Sequence, residues 1–128
     1  MLPQFLIPET IARENGFSGV IELGGASGKP LLLTLGITRI LEQESLDIAI
    51  WGSADGKNWG ARPLIKFPQK FYCGTYTLVL DLSRHADVSY LRGEYKLNRW
   101  GRGDSVPLFG FYLFVQESER PVLVTAVA

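Results

Sequence analysis

Residues 46–51 alternate in strict period two: Leu46, Ile48 and Ile50 fall on one face, and Asp47, Ala49 and Trp51 on the other. This pattern predicts a strand with one covered face and leaves Trp51 pointing outward. Asp55-Gly56 follows closely, a dipeptide that favours a tight turn because glycine adopts positive φ without steric cost. Similar alternation recurs twice downstream. In Gly74–Leu82, Tyr76, Leu78 and Leu80 oppose Thr75, Thr77 and Val79; in Val88–Leu97, Leu91, Gly93, Tyr95 and Leu97 oppose Tyr90, Arg92, Glu94 and Lys96.

The remaining segments read as further strands. Phe17–Leu23 is a first strand before the glycine-rich turn at residues 24–28. Pro30–Leu41 suits a helical stripe as well, but we read it as a long strand with a bulge or bend at Gly36, followed by a turn at Glu42–Ser45. Arg62–Phe67, limited by Pro63 and Pro68, fits an edge strand. Pro107–Val115 is nearly all apolar and predicts a central strand covered on both faces. Residues 1–15 read as irregular, with at most one helical turn near Ala12, and residues 117–128 as a last strand or arm. The expected fold is therefore all-β: one domain over residues 1–128, an antiparallel β-sandwich of about eight strands.

Composition narrows the function classes. Thirteen basic residues balance thirteen acidic ones, so no global field draws the chain to nucleic acid or to an anionic membrane. The apolar runs are too short to span a bilayer as a helix, and the N-terminus has neither the charged start nor the apolar core of a signal peptide. A cytoplasmic protein is the default expectation, with export or a virion-like particle as the other settings. Cys73 is the only cysteine, which excludes an intrachain disulfide, and its aromatic neighbours point to a small buried thiol.

The runs LDIAIWGSADGKNW (Leu46–Trp59), GTYTLVLDL (Gly74–Leu82) and VSYLRGEYKL (Val88–Leu97) resemble the jelly-roll layout of discoidin-like, galactose-binding-like domains. Ser53, Asp55, Gly56 and Trp59 match their S-x-D-G-x-x-W hairpin, and Tyr90, Leu91 and Arg92 match the Y-L/V-R strand. The same order is similar to small bacterial and prophage-type β-sandwich structural proteins, some of them virion components. The resemblance covers roughly residues 30–116. It implies a jelly roll, but fold alone does not carry activity. The terminal disulfide usual in discoidin domains is absent, and the chain is shorter than most of them.

Candidate chemistry is sparse. Ser83, His85 and Asp87 crowd one polar link, whereas a hydrolase triad converges from separate elements. One histidine without a second histidine or cysteine argues against a transition-metal site, and Asp55 with Ser53 and Asn58 reads as a turn rather than a calcium site. We therefore expect no enzyme, no cofactor and no metal. The sharpest binding candidate is the glycine-rich loop Asn98–Ser105, where Asn98, Arg99, Trp100 and Arg102 combine a planar ring with directional polar tips. Trp51 and Trp59, bracketing the turn, are candidates for a partner surface. Two readings follow: a non-catalytic structural subunit that forms a homo-oligomer or docks into a larger protein assembly, or a module that binds carbohydrate or another small ligand through the 98–105 loop.

Overall fold

Period-two alternation decides most of the architecture. The computed structural model describes residues 2–100 and 106–118, and these form eight strands in two four-stranded antiparallel sheets that share one core. In chain order the strands are β1 (Gln4–Ala12), β2 (Gly16–Glu22), β3 (Pro30–Ile40), β4 (Glu44–Ser53), β5 (Ile65–Lys66), β6 (Gly74–Asp81), β7 (Tyr90–Arg99) and β8 (Phe109–Glu117). Single 3-10 turns occur at Gly24–Ala26 and Leu82–Arg84. Sheet A runs β1-β8-β3-β6 and sheet B runs β2-β7-β4-β5. The expected all-β antiparallel sandwich is the observed fold.

The inward rows are the apolar phases of the alternation. Leu31, Leu33 and Leu35 of β3 and Phe109, Phe111, Leu113 and Val115 of β8 are sealed from solvent, facing Leu46, Ile48 and Ile50 of β4 and Leu91 of β7. The Tyr95 and Phe111 rings meet edge to face across the core, with centroids 5.4 Å apart.

Four expectations require correction. The segment 1–15 is not irregular: β1 occupies Gln4–Ala12 and pairs with β8. Two register shifts, between Phe5 and Ile7 and between Ile7 and Thr10, break its period, and Pro8 interrupts it, so alternation gave no signal there. The bulge expected at Gly36 lies between Ile37 and Arg39 instead. Gly36 has a different reason: a Cβ at that position would overlap the ring of Tyr112 on the neighbouring strand. Cys73 is exposed, because it belongs to the link before β6 rather than to a strand. Finally, β8 is central but covered on one face only; Tyr112 and Phe114 on its other face are half-buried.

The arm expected at residues 117–128 begins with Glu117 as the last residue of β8, and its residues 119–128 lie outside the described residues. The same holds for residues 101–105 of the candidate loop, and so for Arg102. No helix among the described residues is long and apolar enough to cross a membrane.

Candidate functional site

The S-x-D-G-x-x-W motif builds a self-satisfied turn. Ser53 is buried, and its Oγ accepts from the N–H groups of Gly56 (2.9 Å) and Asp55 (3.2 Å) while donating to Asp55 Oδ1 (2.9 Å). Asp55 Oδ1 also accepts from the N–H groups of Lys57 and Asn58, both at 2.8 Å, and Oδ2 accepts from Asn58 Nδ2 at 2.8 Å. The Asn58 and Lys57 N–H groups, then the Ser53 hydroxyl, hold the Asp55 carboxyl well below the usual carboxylate range. Gly56 supplies the positive φ, +77°. The motif opens the longer connection 54–64, since the partner strand β5 begins only at Ile65 and pairs Ile50 with it.

That connection returns Trp59 to the outward face of sheet B. Arg92 of β7 lies between two rings, its guanidinium carbon 4.4 Å from the Phe17 centroid and 4.7 Å from the Trp59 centroid. Trp51, directly opposite Arg92 in the β4–β7 register, donates from Nε1 to Glu94 Oε1 at 3.0 Å. Both indoles are thus half-covered by their own subunit. Val20 of β2 is exposed on the same face, and four charged residues, Asp47, Lys66, Glu94 and Lys96, border a shallow groove of about 310 Å³ floored by Ala49.

Asn98, Arg99 and Trp100 stand at the opposite end of β7, roughly 20 to 26 Å of extended strand from Arg92. The five described residues among the six sequence-predicted ones therefore stand in two groups, Trp51 with Trp59 and Asn98 with Arg99 and Trp100, and Arg102 lies outside the described residues. Arg99 is engaged by backbone: its Nε donates to Glu42 O and its Nη1 to Val106 O, each at 3.3 Å. Asn98 is exposed, opposite Ser45. Trp100 is 53% exposed and meets Phe71 edge-on at 6.3 Å, with Tyr72 beside it at 72% exposure. Phe71 and Tyr72, together with residues 40–43, line a hollow of about 430 Å³.

A buried acid organises this rim. Glu44, only 2% exposed, accepts from the Leu41 N–H at 2.7 Å and from the Leu108 N–H at 2.9 Å, tying the β3–β4 turn to the approach of β8. The turn needs Gln43 at positive φ, +56°. Its carbonyl accepts from Trp100 N at 2.9 Å. Sequence reasoning missed Glu44, since an acid beside Glu42 and Gln43 reads as solvated turn. It missed Phe71 and Tyr72 too, because FYCGTY reads as core.

The outer face of sheet A went unrecognised as well. Cross-strand registers align Thr75, Gly36 and Tyr112; Thr77, Thr34, Phe114 and Phe5; and Val79, Leu32 and Gln116. None of these side chains carries a charge. Phe5 packs edge-on against Tyr112 (5.8 Å) and Phe114 (5.0 Å), yet remains nearly half exposed. The available signal was the second apolar phase of β8, Tyr112 and Phe114.

The polar link at residues 81–87 is a capped turn. Asp81 Oδ1 accepts from the Ser83 hydroxyl (2.7 Å) and N–H (3.0 Å). These bonds lower the Asp81 carboxyl below its ordinary range. No family model and no curated protein matches the sequence.

Proposed function

We propose that the protein is a non-catalytic structural subunit that associates with copies of itself through the outer face of sheet A. The carrying observation is the contrast between its two faces. The outer face of sheet B carries Asp47, Lys66, Glu94 and Lys96, with Arg92 held between Phe17 and Trp59 and with Phe17 and Val20 exposed, whereas three successive rows of sheet A carry only apolar, hydroxyl and amide groups around Phe5, Tyr112 and Phe114. An uncharged surface that exposes large apolar side chains such as Phe5 and Val79 is the kind found at interaction sites. The nested strand order, β1 beside β8 and β2 beside β7 with β3–β6 and β4–β5 inside, supports a jelly roll.

The test is molar mass by light scattering and sedimentation for the native chain and for Phe5→Glu combined with Thr34→Lys, which puts opposite charges into the middle row. We expect a concentration-dependent assembly from the native chain and a folded monomer from the variant. A native chain that stays monomeric at high concentration, or a folded variant that assembles as before, overturns the reading.

The aromatic rim favours a second reading, binding of carbohydrate or another small ligand. Exposed Phe71 and Tyr72 line a concave hollow at one end of the sandwich, and exposed Trp100 packs edge-on against Phe71; a planar ring stacked on a sugar is how such modules bind. The discoidin-like, galactose-binding-like resemblance supports the same reading. An indole fluorescence change with a glycan that disappears in Trp100→Ala would replace the first reading with this one.

A further inference from the structure

Sandwiches keep their sheet edges from pairing with other chains by bulges, prolines, charges or very short edge strands. Three of the four edges among the described residues are protected in this way. β1 has two register shifts and Pro8, β2 is shifted between Phe17 and Val20, and β5 is two residues long between Pro63 and Pro68. β6 is different. Its eight residues pair with β3 in unbroken register, include no proline or lysine, and carry no charge before Asp81. Lys70, in the link before β6, lies over the Tyr76 ring, 4.0 Å from its centroid. Among the described residues no strand pairs with the second edge of β6.

The phase of the β3–β6 ladder decides which backbone groups that edge offers. One step beyond the Pro30–Asp81 pair, Leu82 N–H donates to Lys29 O at 3.3 Å. Pro30 has no N–H, and its carbonyl accepts from Ser118 on the β8 side at 2.9 Å. Antiparallel pairs alternate between bonded and non-bonded. Leu80, Leu78 and Tyr76 therefore bond to β3, and Thr75, Thr77 and Val79 turn their N–H and C=O groups outward. The side chains repeat this division. Thr75, Thr77 and Val79 are exposed on the outer face, whereas Tyr76 and Leu78 pack against the core and are only partly buried. A further strand satisfies the first set and covers the second.

We propose that two copies pair through this edge, β6 against β6, antiparallel about a two-fold axis at Thr77, so that their A sheets join into one. Thr77 is the midpoint of the uncharged run Gly74–Leu80. About that point the strand is self-complementary. Thr77 meets Thr77 of the second copy, and Thr75 meets Val79 in both directions, which makes three bonded pairs and about six backbone hydrogen bonds. Between them, on the inner face, Tyr76 meets Leu78 in both directions, an aromatic–aliphatic pair that covers the two half-buried side chains. Asp81 falls opposite Cys73, so no like charges are opposed. The inference rests on the self-association proposed above and supplies its second contact. Hydrogen bonds exchanged with water contribute little against the cost of association, so the edge closes where docked outer faces hold the joined sheets together. Joined sheets stacked face to face then contain more than two copies.

The experiment compares the native chain with Thr77→Pro, which removes an outward N–H and costs β3 no bond, and with Thr77→Val as the conservative control. Molar mass and amide exchange along β6 are read together, above and below the concentration of assembly. We expect the native chain and Thr77→Val to exceed two copies and to protect the Thr75 and Val79 amides only when assembled. The Tyr76 and Leu78 amides, bonded to β3, are protected at every concentration. Thr77→Pro, folded by circular dichroism, is expected to fall to two copies held by the outer face and to leave the Thr75 and Val79 amides open. A folded Thr77→Pro that reaches the native mass overturns the inference and leaves the docking face standing. A native assembly whose Thr75, Thr77 and Val79 amides stay open does the same, and that measurement decides even if Thr77→Pro fails to fold. Protection of these amides at all concentrations also overturns it, because the edge is then covered within one subunit. A native chain that stays monomeric at high concentration overturns both proposals.

Discussion

At the scale of single residues, the rim depends on one carboxylate. Glu44 is buried, and its two oxygens each accept a backbone N–H, from Leu41 and from Leu108. Glu44→Gln replaces one acceptor with a donor that faces an N–H, leaving a buried group unsatisfied at a cost of about 1–3 kcal/mol. Urea denaturation is expected to show a loss in that range, and hydrogen exchange to show faster opening at Leu41 and Leu108. Nothing in the local sequence marks Glu44, because its role comes from Leu108, which is distant in the chain and adjacent only after folding. Gly36 is similar: its lack of a side chain makes room for Tyr112, a partner supplied by another strand.

Among the elements, the turn at residues 53–58 is the clearest case of local sequence dictating structure. All its bonds lie within a few residues, so Ser53, Asp55, Gly56 and Asn58 declare it. Because the folded Asp55 carboxyl titrates below its unfolded value near 4, ionised Asp55 stabilises the fold at higher pH. That contribution is lost as the pH falls below the unfolded value and through the folded one. Thermal melts from pH 6 downward should therefore show an acid-side loss of stability that Asp55→Asn reduces, with the Lys57 and Asn58 amides opening first in the native chain. β1 is the contrasting element. Its register shifts follow from how it meets β8, and no periodic pattern announces such a strand.

For the whole molecule, the division of labour between the sheets is what matters. Charge gathers on sheet B, and the uncharged rows of sheet A form one surface only because β1, β8, β3 and β6 are neighbours in space. The proposed association through that surface would rest on apolar burial rather than ion pairs, so it should survive an increase in ionic strength to about 1 M, where the Debye length is roughly 3 Å. Light scattering across a salt series checks this, with undiminished molar mass as the expected outcome.

By itself the sequence determined the class of fold, the strands β2, β3, β4, β6, β7 and β8 to within a few residues, the short edge strand between two prolines and the Asp55-Gly56 turn. These rest on period-two burial and on interactions between near neighbours in the chain. Only the tertiary structure decided that β1 is a strand, that Trp51 and Trp59 are partly covered by Glu94 and Arg92, and that Phe71 and Tyr72 join Trp100 at one rim. Only it left β6 as an unguarded edge. Each of these depends on which strands become neighbours, and alternation along a chain states which side of a strand is covered without stating what covers it.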